Sequence, residues 1–303
     1  MKLHIIGNGF DLNHGLNTDY KIYKEFNKPE NYSTFLWYTE WLYRDIPRKL
    51  GDDDEIWKNA ESNLSIDFLG LIEESIKDKE QYGTPILETV KLYTRKVEEF
   101  TTTNFFNWLK EYKNVPVKKK YNLPKDDLYL TFNYTDILET IYQIPSENIL
   151  HIHGYVNNID FENPTPQAIR NEIQFGAPLA SSLEKYEKAR LEYAKLIEED
   201  DNIKQAFDHL ENYVHCSTKN LESNYDKLRK FISEKEIDEI VVMGNSCWGV
   251  DFDYYKDVIC PSIPNAEWTF LCHSSSDYDN IPEMCRKLGI ETYILLKWEE
   301  WTG

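Results

Sequence analysis

The sequence predicts an α/β protein, a Rossmann-like parallel sheet interrupted by two helical insertions. Three observations predict it. The apolar run Leu3-His4-Ile5-Ile6 breaks at Gly7-Asn8-Gly9 and turns helical, the order in which a doubly wound sheet presents backbone N–H groups to a phosphate. The last third alternates strand with helix, which implies parallel strands. Two interior stretches, about 28–125 and about 178–236, carry helical periodicity instead. The 303 residues therefore read as one nucleotide-binding α/β domain that carries both insertions.

In chain order, Thr18 and Asp19 offer N-cap chemistry for a helix bearing Ile22, Tyr23 and Phe26. In the first insertion Ile86, Val90, Tyr93, Val97 and Phe100 form one buried helix face, and Leu64, Phe68, Leu71 and Ile72 another. Gly51-Asp52-Asp53-Asp54 and the segment from Val115-Pro116 to Lys120 read as its solvated turns, and the aromatic cluster Phe35, Trp37, Tyr38, Trp41 and Tyr43 as helical core. The sheet resumes with Leu128–Phe132, Ile149–His153 and a shorter strand at Glu172–Gly176. The second insertion places Leu183, Tyr186, Tyr193 and Ile197 on one helical side. Strands follow at Glu239–Met243, Trp268–Cys272 and Thr292–Leu296, with helices near Asp253–Ile259 and Ile281–Leu288 between them.

Composition excludes several functions. A formal charge of −19 opposes binding to duplex nucleic acid, where affinity comes mostly from Lys and Arg on phosphates. The apolar start is too short for a signal peptide or a span, and no later stretch approaches eighteen apolar residues, so a cytoplasmic protein away from membranes is expected. The five cysteines are odd in number and never spaced as CxxC, as in reduced thiols. His215-Cys216 and Cys272-His273 lack partners at metal-site spacing, and no metal is expected.

In an open parallel sheet, ligands lie beyond the carboxyl ends of the strands. Asn8, Asp11 and His14 follow the first strand there, Asn133 the second, His153 and Gly154 the third, and Gly244, Asn245, Ser246 and Asp251 a later one. His151 and His153 share a strand face; His153 is nearer the crevice, and His151 reads as a buried hydrogen-bonding residue. Trp57 and Glu61 share a helix face and read as a packing edge. Cys247, with no histidine near it in sequence, is not read as a nucleophile.

Taken together, Gly7-Asn8-Gly9-Phe10-Asp11-Leu12 with His14-Gly15, Trp57 and Glu61, Thr131-Phe132-Asn133-Tyr134-Thr135 with Glu139, His151-Ile152-His153-Gly154, and Gly244-Asn245-Ser246 with Asp251 resemble the AbiH family of bacterial phage abortive-infection proteins. One position departs: that family's late motif usually reads Gly-His-Ser, and Asn245 stands in for the histidine. AbiH proteins in turn look like distant relatives of sirtuin-like NAD-binding domains, several of them NAD-consuming defence effectors. By that resemblance Asn133 and His153 are the catalytic pair, holding the nicotinamide ribose and promoting cleavage of its glycosidic bond. Gly7, Asn8, Gly9, Asp11, His14, Gly154, Gly244, Asn245, Ser246 and Asp251 are the cofactor-binding set. The chemistry is consistent: nicotinamide leaves as a neutral group from an oxocarbenium-like ribose, which demands positioning more than a strong acid. Asn133 would orient a hydroxyl or water, His153 would act as base, and no metal is required.

Two readings follow. One is an NAD glycohydrolase of antiphage defence; the other is a non-catalytic module that senses a nucleotide and signals to a defence-system partner or through a homo-oligomer. A nuclease-like toxin is disfavoured by the charge and by the lack of a recognisable acidic metal cluster in the sequence.

Overall fold

A computed structural model describes residues 1–26, 66–113, 115–159, 162, 164–177, 179–219 and 221–301. The Gly51–Asp54 turn, Leu64, the pair Trp57 and Glu61, and the aromatic cluster at 35–43 lie outside the described residues. The chain divides into two compact units: Met1–Ile22, Trp108–Asp160 and Glu222–Gly303 form the first, Tyr23–Asn107 and Phe161–Leu221 the second.

The first unit holds a six-stranded, all-parallel sheet: β1 (Lys2–Ile6), β2 (Leu128–Thr131), β3 (Ile149–His151), β4 (Glu239–Met243), β5 (Glu267–Cys272) and β6 (Tyr293–Lys297). Their order, β3-β2-β1-β4-β5-β6, is that of doubly wound nucleotide-binding sheets, with the direction of winding reversing between β1 and β4. β1 lies at the centre, its Ile6 level with Thr131 on one side and Met243 on the other. Leu3, Ile5 and Ile6 are buried, as expected of a strand covered on both faces. Behind it Phe10, Tyr129, Tyr142, Val241, Met243 and Trp298 pack as one core cluster.

The sequence reading of the α/β class holds, and the strands fall within a residue or two of their expected places. The expected strand at 172–176 does not form. Thr165 caps a helix there by accepting from the N–H of Ala168, Pro166 occupies its first turn, and the helix runs to Glu172 before Ile173 extends. The helix expected near 281 begins at Ser275, because Ser274 and Asp277 make a reciprocal capping box.

The second unit is helical. Phe68–Tyr82 and Ile86–Glu99 are joined at Gly83, and Asp201–Ser217 is capped by Asp200, which accepts from the N–H groups of Asn202 and Ile203. Ile86, Val90, Tyr93, Val97 and Phe100 are buried, as their spacing predicts. A π-helical turn, Phe100–Asn104, follows, and Phe105 stacks on Phe175 at 3.9 Å.

Beyond β1 and β4 the backbone itself is the contact. Gly7 donates to the Met243 carbonyl at 3.0 Å and Gly9 to the Gly244 carbonyl at 2.9 Å. A Cβ on Gly7 would meet Asn245 Cα at 2.5 Å, and one on Gly244 would meet Phe10 N at 2.4 Å. Gly244 also has φ +72°, where a side chain adds roughly 1–2 kcal/mol of strain. Gly289 shares that φ as a helix cap but faces open space. Chemical denaturation should therefore separate the two. Gly289→Ala should cost about 1 kcal/mol, and Gly244→Ala about 3 kcal/mol beyond that; equal losses would show that the β1–β4 contact yields easily.

Candidate functional site

The residues beyond the strands of the first unit fall into two polar groups. In the first, Asn133 Nδ2 donates to the Gly7 carbonyl at 2.9 Å and to Asp11 Oδ1 at 2.8 Å, so both amide hydrogens are engaged. Thr135 Oγ1 donates to Asp11 Oδ2 at 2.8 Å. Asp11 is thereby held on both oxygens inside the short helix Asn8–Asn13, and is 2% exposed. Burial pushes its carboxyl up to about 7, against the opposing pull of the Thr135 and Asn133 hydrogen bonds and of His151. A carboxyl that changes charge near neutrality, beside a sheet's switch point, has the property a proton-transfer group needs.

Next to it, His151 Nε2 meets Glu139 Oε1 at 2.7 Å and Nδ1 lies 3.3 Å from the Asn133 carbonyl, with Tyr155 stacked on the ring at 4.2 Å. Glu139 Oε2 is buried with no hydrogen-bond partner among the described residues. Sequence reasoning selected none of His151, Glu139 or Thr135 for the site. The signal was present in the Phe-Asn-Tyr-Thr element with its following Glu, whose helix, Ile137–Thr140, carries the carboxylate to the end of β3.

The second group surrounds Asn245. Its Nδ2 donates to Asp251 Oδ2 at 3.1 Å, while its Oδ1 accepts from Cys247 N at 2.7 Å and from the Tyr255 hydroxyl at 3.0 Å. Cys247 has φ +56° and is buried, and burial pushes its thiol well above the ordinary range. It stays protonated and unreactive at neutral pH. Ser246 is exposed and accepts from Trp248 N.

Other selected residues lie as follows. Asn8 accepts from Thr18 Oγ1 at 2.6 Å. His14 is buried, its Nδ1 2.7 Å from the Phe10 carbonyl and its Nε2 2.6 Å from the Tyr142 hydroxyl. The Phe10 carbonyl can only accept, so Nδ1 carries the proton and Nε2 accepts from Tyr142. Burial holds the His14 pKa down, which keeps this neutral form. His153 is buried against the rings of Phe132, Tyr134 and Tyr254, the first two flanking Asn133 in sequence. Gly154, with φ +78°, donates to the His151 carbonyl at 3.1 Å.

The carboxylates of Asp11 and Asp251 are of a kind that accepts ribose hydroxyls, whereas the Asn245 oxygen already accepts from both Cys247 and Tyr255. The glycine loop does not fit a pyrophosphate in the same way. The N–H groups of Gly7 and Gly9 are engaged by β4 and its loop, and that of Phe10 by the Gly7 carbonyl at 2.9 Å.

A family model described as "Bacteriophage abortive infection AbiH" matches residues 3–272, from β1 to the end of β5. No curated protein and no solved structure matches the chain. Among the described residues, no helix is long and apolar enough to cross a membrane.

The raised Asp11 pKa predicts a pH dependence. The unfolded carboxyl ionises near 3.8 and the folded one near 7, so between these values the folded state holds the extra proton and stability falls as pH rises. Above about 7 the loss is complete, on the order of 4 kcal/mol. Denaturation of wild type and Asp11→Asn at pH 5 and pH 8 should show a decline in the first that the second lacks; parallel profiles would refute the buried acid.

Proposed function

The chain belongs to the AbiH family of bacteriophage abortive-infection proteins, and from that premise we propose that it serves phage defence by hydrolysing NAD at the nicotinamide–ribose bond. The observation that carries this reading is the Asp11 carboxyl, buried beside the switch point and tied to Asn133 and Thr135. In that reading Asp11 and Asp251 accept ribose hydroxyls, Asn133 fixes the carboxylate and orients the sugar or the attacking water, and His153 acts as base. Nicotinamide departs neutral, so positioning and proton acceptance near pH 7 supply the catalysis. The neighbouring Glu139–His151 pair supports the idea by placing an acid–imidazole couple at the same strand ends.

A second reading is favoured by specific observations. Both Asn133 hydrogens and the N–H groups of Gly7 and Gly9 are engaged within the protein, and His153 is ringed by aromatics. A module that senses a nucleotide without turning it over would use the same crevice.

Incubation with NAD decides between them. Nicotinamide release is expected, with kcat/KM rising as Asp11 ionises through about pH 7, and Asp11→Asn and His153→Gln should each lose roughly 100-fold. Asn133→Ala also strips donors from Gly7 and Asp11, so it should lose about 1–3 kcal/mol of stability and is assayed well below its melting point. Binding without product, at rest and after phage infection, would establish the sensing module and end the glycohydrolase reading.

A further inference from the structure

Asn133 is held at both its side chain and its backbone. Its amide donates to the Gly7 carbonyl at 2.9 Å and to Asp11 Oδ1 at 2.8 Å, and its N–H donates to Thr131 Oγ1 at 3.1 Å. The remaining group, its backbone carbonyl, faces His151 Nδ1 at 3.3 Å. Beyond the imidazole stands Glu139, whose Oε1 is 2.7 Å from Nε2. Contacts thus run unbroken from Glu139 through His151 and Asn133 to Asp11. They join the helix Ile137–Thr140, β3, the loop after β2 and the helix Asn8–Asn13, all within the sheet unit.

Both ring nitrogens of His151 face acceptors. A backbone carbonyl has no hydrogen to give, and an ionised carboxylate has none either. A neutral imidazole beside an ionised Glu139 donates to one of them and loses the other contact, whereas a ring with both hydrogens makes both. The second oxygen of Glu139, Oε2, is buried and has no hydrogen-bond partner among the described residues. A negative charge so placed is costly unless a cation offsets it. Among the described residues His151 is the ion-pair partner of Glu139. Tyr155 stacks on the ring at 4.2 Å and holds it from one face.

A charge on His151 reaches Asp11. It favours the ionised Asp11 carboxyl, as do the hydrogen bonds from Thr135 and Asn133, while burial and the Asp136 carboxylate act the other way. Asp136 itself accepts from Asn157 Nδ2. Resting on the reading of this crevice as the NAD site, we propose that Glu139 is a positioning residue that acts through His151. It keeps the second hydrogen on the imidazole, pins the Asn133 carbonyl and favours the charged Asp11 that a ribose hydroxyl needs. Glu139 does not itself meet the sugar, because its second oxygen is buried.

Two titrations followed by NMR test this. Asp11 is read in protein labelled at the aspartate carboxyl carbons and His151 in protein labelled at the histidine ring nitrogens, with Asp11→Asn and His151→Gln identifying the resonances. Glu139→Gln keeps the shape of the side chain but not its charge. In it His151 should lose its second proton about one pH unit lower than in wild type, and Asp11 should ionise about half a unit higher. Opposite directions mark action through the ring, since removing a negative charge near Asp11 would by itself lower the pH at which it ionises. His151→Gln should also raise the Asp11 titration, and adding Glu139→Gln to it should raise it no further. With NAD, kcat/KM of Glu139→Gln should fall about twofold near pH 7 and recover by about pH 8.5. Opposite shifts without nicotinamide release would uphold the coupling and end the glycohydrolase reading. Nicotinamide release with both titrations unmoved in a folded Glu139→Gln would end the positioning role. Should that variant fail to fold, an unmoved Asp11 in His151→Gln overturns the proposal by itself.

Discussion

Two backbone segments meeting at glycines fix the loops that leave β1 and β4 at the centre of the sheet. Gly7 and Gly9 lie against Met243, Gly244 and Asn245 so closely that no side chain fits between them. The missing atoms let β1 and β4 run into their loops side by side. The Gly7 carbonyl is thereby left to receive Asn133 from the opposite neighbour, β2. Three strands far apart in sequence are thus tied at one point by backbone groups and one amide.

That tie explains why a carboxyl can be buried there. Removing Asp11 from water is costly, and two hydrogen bonds only partly offset it, so its proton is held to an unusually high pH. Proteins keep such groups where their chemistry is used. Elsewhere in the sheet unit polar burial is settled differently: His14 is locked neutral between Phe10 and Tyr142, and Cys247 is held as an inert thiol.

Much of this was legible in the sequence because parallel strands are buried on both faces and so read as short apolar runs. Glu239–Met243 is a clear instance. The helical faces at 86–100 were legible through their period of 3.6. The strand read at 172–176 failed because the Thr165-Pro166 cap outweighed a brief apolar alternation. The role of the glycines was only half legible. A strand followed by Gly-Asn-Gly signals close approach, but what approaches is Gly244, more than two hundred residues later, and local reading cannot distinguish it from a phosphate. The pairing of His151 with Glu139 depends on a turn returning one helix to a strand end.

The amide at 245 has an evolutionary corollary. Its single oxygen takes hydrogens from both Cys247 and Tyr255 while its nitrogen serves Asp251, a two-in, one-out pattern that a neutral imidazole, with one acceptor and one donor, cannot reproduce. A lineage exchanging this asparagine for a histidine would have to rework the tyrosine or the cysteine turn in step. Positions 245, 247, 251 and 255 should therefore drift as a linked set, and ancestry at one of them constrains what the others can become.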